Sequence, residues 1–278
     1  MAVFEFNFYS TKLGRYVPAI GILPTDGGEV HPECILECYE RPMKTIYLLS
    51  GYSGGHTDWL HYTQIVTFCL KYNVAAFMPA GENSFYLDSK KRDAYYEQFV
   101  AEEFVNYTRK TFAAVSDKRE DTFIGGISMG GFGALYLGMR HSKVFSKILA
   151  LAPGILCYGY NEHSNFFFDA GMTKEYCDTM FGDPKKLILS EANLEVLYQR
   201  LKRDKEEIPA IYLTCGTEDF VLEHSRVFYQ FLKKENASFY YEETPGTHEW
   251  YIWNGHIDKA LRWAERISVE KQFSSRHS

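Results

Sequence analysis

One serine in this chain stands where a hydroxyl could be made into a nucleophile. Ser128 lies in Gly126-Ile127-Ser128-Met129-Gly130, directly after the apolar run Thr122-Phe123-Ile124. The pattern predicts a buried strand, a very tight turn and a helix opening at Met129-Gly130-Gly131-Phe132. A serine on such a turn projects its oxygen beyond the sheet. Glycines on both sides remove the Cβ atoms that would clash where strand and helix crowd together. The helix start beneath it offers free N–H groups and a positive dipole end, which suit a developing negative charge.

A serine hydroxyl is a weak nucleophile near neutral pH. It needs a base, and the base needs an orienting acid. In open α/β sheets the site lies beyond the carboxyl ends of the strands, so candidates must follow strands. Asp219 follows Ala210-Ile211-Tyr212-Leu213-Thr214, at the G-x-x-D spacing of Gly216-Thr217-Glu218-Asp219. Glu218 is the neighbouring competitor, and Asp219 could alternatively cap a helix over 222–234. His248, in Pro245-Gly246-Thr247-His248-Glu249-Trp250, follows the next expected strand. His56 and His61 precede the serine, His141 ends its helix, and His163 lies in an irregular stretch. His224 and His256 fall within expected helices, and His277 is in the tail. The order Ser128, Asp219, His248 is the α/β-hydrolase order, distinct from the chymotrypsin and subtilisin orders. An oxyanion would need two donors. The Met129 N–H, next after the serine, is one expected donor. The Tyr52 N–H is the other, in the glycine-rich loop Leu49-Ser50-Gly51-Tyr52-Ser53-Gly54-Gly55.

The elements that must position these residues are legible as periodicity. Val3 to Tyr9 alternates as a half-buried strand does, and Tyr16 to Leu23 reads as a second strand ended by Pro24-Thr25-Asp26-Gly27-Gly28. Thr45-Ile46-Tyr47-Leu48-Leu49 and Val74-Ala75-Ala76-Phe77-Met78 are short, wholly apolar runs typical of strands covered on both faces. Helices are expected over 59–72, 94–112, 129–141, 222–234 and 249–267, and further strands over 146–151, 210–214 and 238–243. The alternation predicts a mostly parallel sheet with helices on both faces and an antiparallel N-terminal edge. It breaks over 154–207, where aromatics cluster at Tyr158, Tyr160 and Phe166-Phe167-Phe168. This stretch reads as an insertion into a single domain spanning 1–278.

Composition narrows the function classes. The 278 residues carry a net charge of −6 and no long basic run, which argues against nucleic acid as a partner. No basic segment followed by an apolar one opens the chain, and no apolar stretch is long enough to span a bilayer, so the expectation is a cytoplasmic protein without a membrane partner. The six cysteines are scattered, with no C-x-x-C pair. Reduced, mostly buried thiols are expected, and no metal site.

Taken together, the chain resembles the esterase D-like branch of the α/β-hydrolases, the group of tributyrin esterases, acetyl and feruloyl carbohydrate esterases and S-formylglutathione hydrolases. The resemblance covers nearly the whole chain. It is carried by Tyr47-Leu48-Leu49-Ser50-Gly51-Tyr52-Ser53-Gly54, Asp58-Trp59, Pro79-Ala80-Gly81-Glu82-Asn83-Ser84-Phe85-Tyr86, the Gly125–Leu135 stretch, Cys215–Asp219 and Pro245–Trp250. The Asn-Ser-Phe-Tyr stretch and the serine turn look most like the tributyrin esterases. Where many relatives carry His-Gly in the oxyanion loop, this chain has Ser50-Gly51, and Ser50 is expected to brace the loop by a hydrogen bond. The resemblance implies a serine carboxylesterase acting on short-acyl esters without metal or organic cofactor. Its substrate would be a small-molecule ester, an acylated oligosaccharide among the candidates, and homo-oligomers are left open. The 154–207 insertion falls where α/β-hydrolases commonly carry a cap, and its aromatics would either wall an acyl or sugar pocket or form the small core that holds the insertion together. Trp59 and Tyr86, on loops near the expected site, are candidates for substrate contact. An S-formylglutathione-type thioesterase is the alternative in the same fold. A non-catalytic hydrolase-fold binding module is the alternative of another class, although its usual mark, a lost triad member, is not seen.

Overall fold

The computed structural model of the chain describes residues 1–27, 31–32, 34–164 and 166–266. Gly28 of the expected turn, Ile267 at the expected end of the last helix, and the tail with His277 lie outside the described residues.

Eight strands form one sheet: β1 (Ala2–Ser10), β2 (Arg15–Leu23), β3 (Lys44–Leu49), β4 (Val74–Pro79), β7 (Thr122–Ile127), β8 (Lys147–Leu151), β9 (Ala210–Gly216) and β10 (Phe239–Thr244). Two short strands, β5 (Asp88–Ser89) and β6 (Ala94–Tyr95), pair separately. The spatial order is β1-β2-β4-β3-β7-β8-β9-β10. β1 and β2 are antiparallel, β2 runs antiparallel to β4, and every pairing from β4 to β10 is parallel. This is the mostly parallel sheet with an antiparallel edge of the α/β-hydrolase fold.

Strand alternation sorts the core into two layers. Tyr47 and Leu49 of β3 pack with Phe77, Ile124, Phe132 and Leu135 on one face, together with Phe99 and Phe104. Ile46 and Leu48 pack on the other with Trp59, Phe68, Tyr72, Trp253 and Ile257. Burial on both faces explains why the central strands read as unbroken apolar runs rather than alternating ones.

Two expected helices are interrupted. The run over 59–72 is split into Asp58–Tyr62 and Ile65–Tyr72. The Thr63 hydroxyl donates to the Trp59 carbonyl at 2.5 Å and accepts from the Ile65 N–H at 3.1 Å, so a side chain takes over backbone partners at the break. The helix expected from residue 94 begins at Tyr96, because Ala94 and Tyr95 pair with Asp88 and Ser89. Asp88 Oδ1 then caps that helix by accepting from the N–H of Glu97 and of Gln98. Its middle, Phe99–Phe104, is wound as π-helix before Val105–Thr111 continues.

Between β8 and β9 the described residues form the helices Leu156–Gly159, Phe166–Asp169, Lys174–Met180, Pro184–Leu187 and Leu194–Arg203. Their aromatics belong to the same apolar layer as Phe132. Phe85 meets both Phe167 and Phe181 edge-on, at ring-centre distances of 5.5 and 4.8 Å.

The fold is tightly packed where helix Met129–Arg140 leaves β7. A Cβ on Gly130 would sit 2.4 Å from the Leu49 carbonyl oxygen and 2.6 Å from that of Ser50. Gly130→Ala must push helix and sheet apart. It is expected to lower the unfolding free energy by about 1–3 kcal/mol, the usual cost of overpacking, as measured by urea denaturation at neutral pH.

Candidate active site

Ser128 caps β7 with φ 53° and ψ −118°, a backbone conformation a non-glycine residue holds only when its surroundings impose it. The surroundings are specific. Its N–H donates to the Leu151 carbonyl at 3.0 Å, and its carbonyl accepts from Phe132 N and Gly154 N, both at 3.1 Å. The end of β8 and the first helical turn therefore clamp the turn from both sides.

β9 and β10 deliver the other two residues. The Asp219 side chain is fully buried, and its carboxylate accepts from His248 Nδ1 at 2.8 Å and from the Val221 N–H at 2.9 Å. The His248 ring is held between Phe220, at a centre distance of 4.4 Å, and the edge of Trp253, at 4.8 Å. Its loop is tied back to β9, since Thr217 N donates to the Thr244 carbonyl and Glu218 N to that of Gly246. Glu218, the competing carboxylate, faces away from the imidazole. It accepts from the Gly246 N–H, and that backbone donor holds its carboxyl below the usual range.

Ser128 and His248 line one cavity of about 360 Å³ with Gly51, Tyr52, Asp58, Tyr62, Ile127, Trp250 and Trp253. No hydrogen bond joins the Ser128 and His248 side chains among the described residues; such pairs are often loose until a substrate completes them. The N–H groups of Tyr52 and Met129 have no acceptor among the described residues. The structure thus brings Ser128, Asp219, His248, Tyr52 and Met129 to one end of the sheet.

It does not bring Trp59 and Tyr86 to the cavity as substrate contacts. Both are fully buried. Trp59 Nε1 donates to the Leu49 carbonyl at 3.1 Å, and Tyr86 Oη donates to the Ser50 carbonyl at 3.0 Å. They support the glycine-rich loop after β3 from below instead. Bracing by the Ser50 hydroxyl is also not seen. That hydroxyl is buried without a partner among the described residues, and the brace reaches Ser50 through its carbonyl. Asp58, Tyr62, Trp250 and Trp253, which do line the cavity, were not foreseen as site residues. Asp58 adjoins Trp59 and Trp250 lies two residues beyond His248, and spacing alone does not separate close neighbours facing different ways.

His56, His224 and His256 have other partners. His56 bonds Glu5 at 2.9 Å. His224 is buried against Phe166, at a ring-centre distance of 4.4 Å. His256 is buried beside the hydroxyls of Thr214 and Thr244. All six cysteines are free, five of them buried. Among the described residues no group of three His, Cys, Asp or Glu side chains could hold a metal ion, and no helix is long and apolar enough to cross a membrane.

The Esterase family model matches residues 37–264. The chain belongs to this family. It is an esterase, and its substrates are accordingly small-molecule esters. It is 38% identical over 268 residues to an acetyl esterase from Caldicellulosiruptor saccharolyticus, covering 96% of this chain and all of that protein. Its fold matches the fluorophosphonate-binding serine hydrolase F of Staphylococcus aureus, with a TM-score of 0.81 at 25% identity, over 95% of this chain and 98% of that one. An S-formylglutathione hydrolase, also from Staphylococcus aureus, matches with a TM-score of 0.80 at 24% identity over 95% and 98%.

Burial pushes both His224 and His256 down to about 4. An unfolded chain binds these protons near pH 6.5, well before the native state does. The stability that the neutral rings contribute is complete above about pH 6.5 and is lost as pH falls toward 4, to about 3 kcal/mol for each ring. Urea midpoints should therefore drop between pH 7 and pH 4.5. His256→Gln, which cannot titrate, should make that drop shallower.

Proposed function

We propose that this esterase is a serine carboxylesterase working through an acyl-enzyme on Ser128. The observation that carries the reading is the buried Asp219 carboxylate 2.8 Å from His248 Nδ1, on the cavity that Ser128 lines from its strained turn. With Nδ1 held by Asp219, His248 presents Nε2 to the serine. As Ser128 Oγ bonds the acyl carbon, Nε2 takes the hydroxyl proton and the carbonyl oxygen becomes an oxyanion. The free N–H groups of Tyr52 and Met129 receive that oxyanion. Collapse breaks the bond to the alcohol oxygen, which leaves with the proton from Nε2. Water then repeats the sequence on the acyl-enzyme, losing a proton to Nε2 and restoring Ser128.

The cavity lining supports a neutral, hydroxyl-bearing alcohol such as a sugar. Among the described residues Asp58 is its one carboxylate, and no Lys or Arg lines it. Tyr62 and Trp250, with ring centres 5.4 Å apart, offer an aromatic wall beside it. The similarity to an acetyl esterase supports a short acyl group. The thioesterase alternative is favoured by the likeness to an S-formylglutathione hydrolase. Against it, a glutathione leaving group carries net negative charge, which Asp58 would repel. We read residues 154–207 as an insertion into one domain, its aromatics packed into the core layer of Phe132.

The test is pre-steady-state release of p-nitrophenol from p-nitrophenyl acetate. Wild type should give a stoichiometric burst and Ser128→Ala none; a burst that survives in the mutant would remove Ser128 from the mechanism. Asp219→Asn should keep the fold and lower kcat by about 10⁴, since the imidazole would be held in the wrong tautomer. Matched oxygen and thiol esters should separate the two readings, with the neutral sugar acetate turned over faster than the glutathione thioester.

A further inference from the structure

The oxyanion loop is gripped at two points that bracket the Tyr52 amide. Tyr86 Oη fixes the Ser50 carbonyl at 3.0 Å on one side, and Asn83 Oδ1 accepts from the Ser53 N–H at 2.7 Å on the other. Between them, the Gly51 carbonyl accepts from Gly54 N at 3.1 Å. In a trans peptide the N–H points opposite to the C=O. Turning the Gly51 carbonyl into the loop therefore turns the Tyr52 N–H out of it, away from the loop's own acceptor.

This arrangement is not relaxed backbone. Ser53 has φ 65°, and Glu82, Phe85 and Tyr86, around Asn83 in the facing loop, have φ 46°, 50° and 56°. Residues held in the left-handed region persist only where side chains over-determine them. Ser84 is one such determinant, since its hydroxyl donates to the Gly81 carbonyl at 2.6 Å and accepts from the Tyr86 N–H at 3.0 Å. The Asn83 backbone is itself anchored. Tyr176, on helix Lys174–Met180 of the segment between β8 and β9, donates its hydroxyl to the Asn83 carbonyl at 2.7 Å. The same ring meets Tyr52 edge-on at 5.6 Å.

We infer that Asn83 is a positioning residue for the oxyanion donor at Tyr52, and that Tyr176 couples this donor to the helical segment 154–207. The inference rests on the esterase reading above. Asn83 touches no reacting atom. It sets the orientation of the Gly51–Tyr52 peptide by holding the next N–H along. A displacement of about 1 Å at such a donor is enough to cost on the order of a hundredfold in rate.

The experiment compares wild type, Asn83→Ala and Tyr176→Phe, each checked for an unchanged thermal midpoint. Three quantities are measured: kcat and KM for p-nitrophenyl acetate, the inhibition constant of trifluoroacetone, and that of acetate. Trifluoroacetone takes Ser128 Oγ onto its carbonyl carbon, passes the serine proton to His248, and leaves an alkoxide where the oxyanion forms. Acetate makes no such adduct. Asn83→Ala should lower kcat by about 10- to 100-fold with KM little changed, and weaken trifluoroacetone by a similar factor while sparing acetate. Tyr176→Phe, which keeps the ring and loses one hydroxyl, should shift the same two quantities in the same direction by a smaller factor. The inference is overturned if both variants bind trifluoroacetone as wild type does, or if acetate weakens equally. A Ser128-dependent burst in wild type beside that result would sink the positioning role alone. A burst that persists in Ser128→Ala would sink the esterase reading and this inference with it.

Discussion

The site depends on how closely one helix is pressed against one strand. Helix Met129–Arg140 leaves β7 with no room for a side chain at Gly126 or Gly130. A Cβ at Gly126 would lie 2.3 Å from the Gly130 carbonyl oxygen, and one at Gly130 would meet the backbone of β3. That contact forces the chain through Ser128 at φ 53°, at a cost on the order of 1–3 kcal/mol. In return the serine oxygen stands clear of the sheet, and the Met129 N–H is left without a helical partner. The backbone touched by Gly130 is that of Leu49, the last residue of β3, and of Ser50, where the glycine-rich loop begins. Ser128 and the glycine-rich loop are thus placed by the same close approach.

A second layer holds the loop from beneath. Trp59 and Tyr86 are large, fully buried and polar at one point, and each spends its polar atom on a backbone carbonyl, Leu49 and Ser50 respectively. Burial raises the Tyr86 phenol well above its ordinary range, so it remains a neutral donor. An aromatic with a hydrogen-bonding tip combines packing with one fixed bond. This suits a loop in which Gly51, Gly54 and Gly55 have no side chains to pack.

These roles mark the boundary of what the sequence discloses. The strands of the parallel sheet, the serine turn and the order of Ser128, Asp219 and His248 are all visible in it, because each depends on local pattern: unbroken apolar runs, paired glycines, a strand just before the residue. Trp59 and Tyr86 look like site residues because they stand in loops near the site. Whether a ring turns toward the cavity or beneath it depends on partners far away in the chain, and local pattern carries no trace of them. The split at Thr63 and the late helix start at Tyr96 have a more local origin, since a threonine hydroxyl and the nearby Asp88 carboxylate claim backbone groups that periodicity assigns to continuous helix.

Glu218 and Asp219 show how finely that geometry divides neighbouring residues. They are adjacent carboxylates on one turn after β9, and either could be the acid by chemistry alone. The turn directs Asp219 inward, where its side chain is wholly buried and meets His248 and the Val221 N–H. It directs Glu218 outward, to the Gly246 N–H. The outward bond is no less relevant to the imidazole, because Gly246 lies two residues before His248 and begins its approach to the site. One carboxylate orients the ring directly, and the other fixes the backbone that delivers it. Exchanging their positions would leave the composition unchanged, yet it would replace a short buried acid by a longer one and disturb the contact with His248.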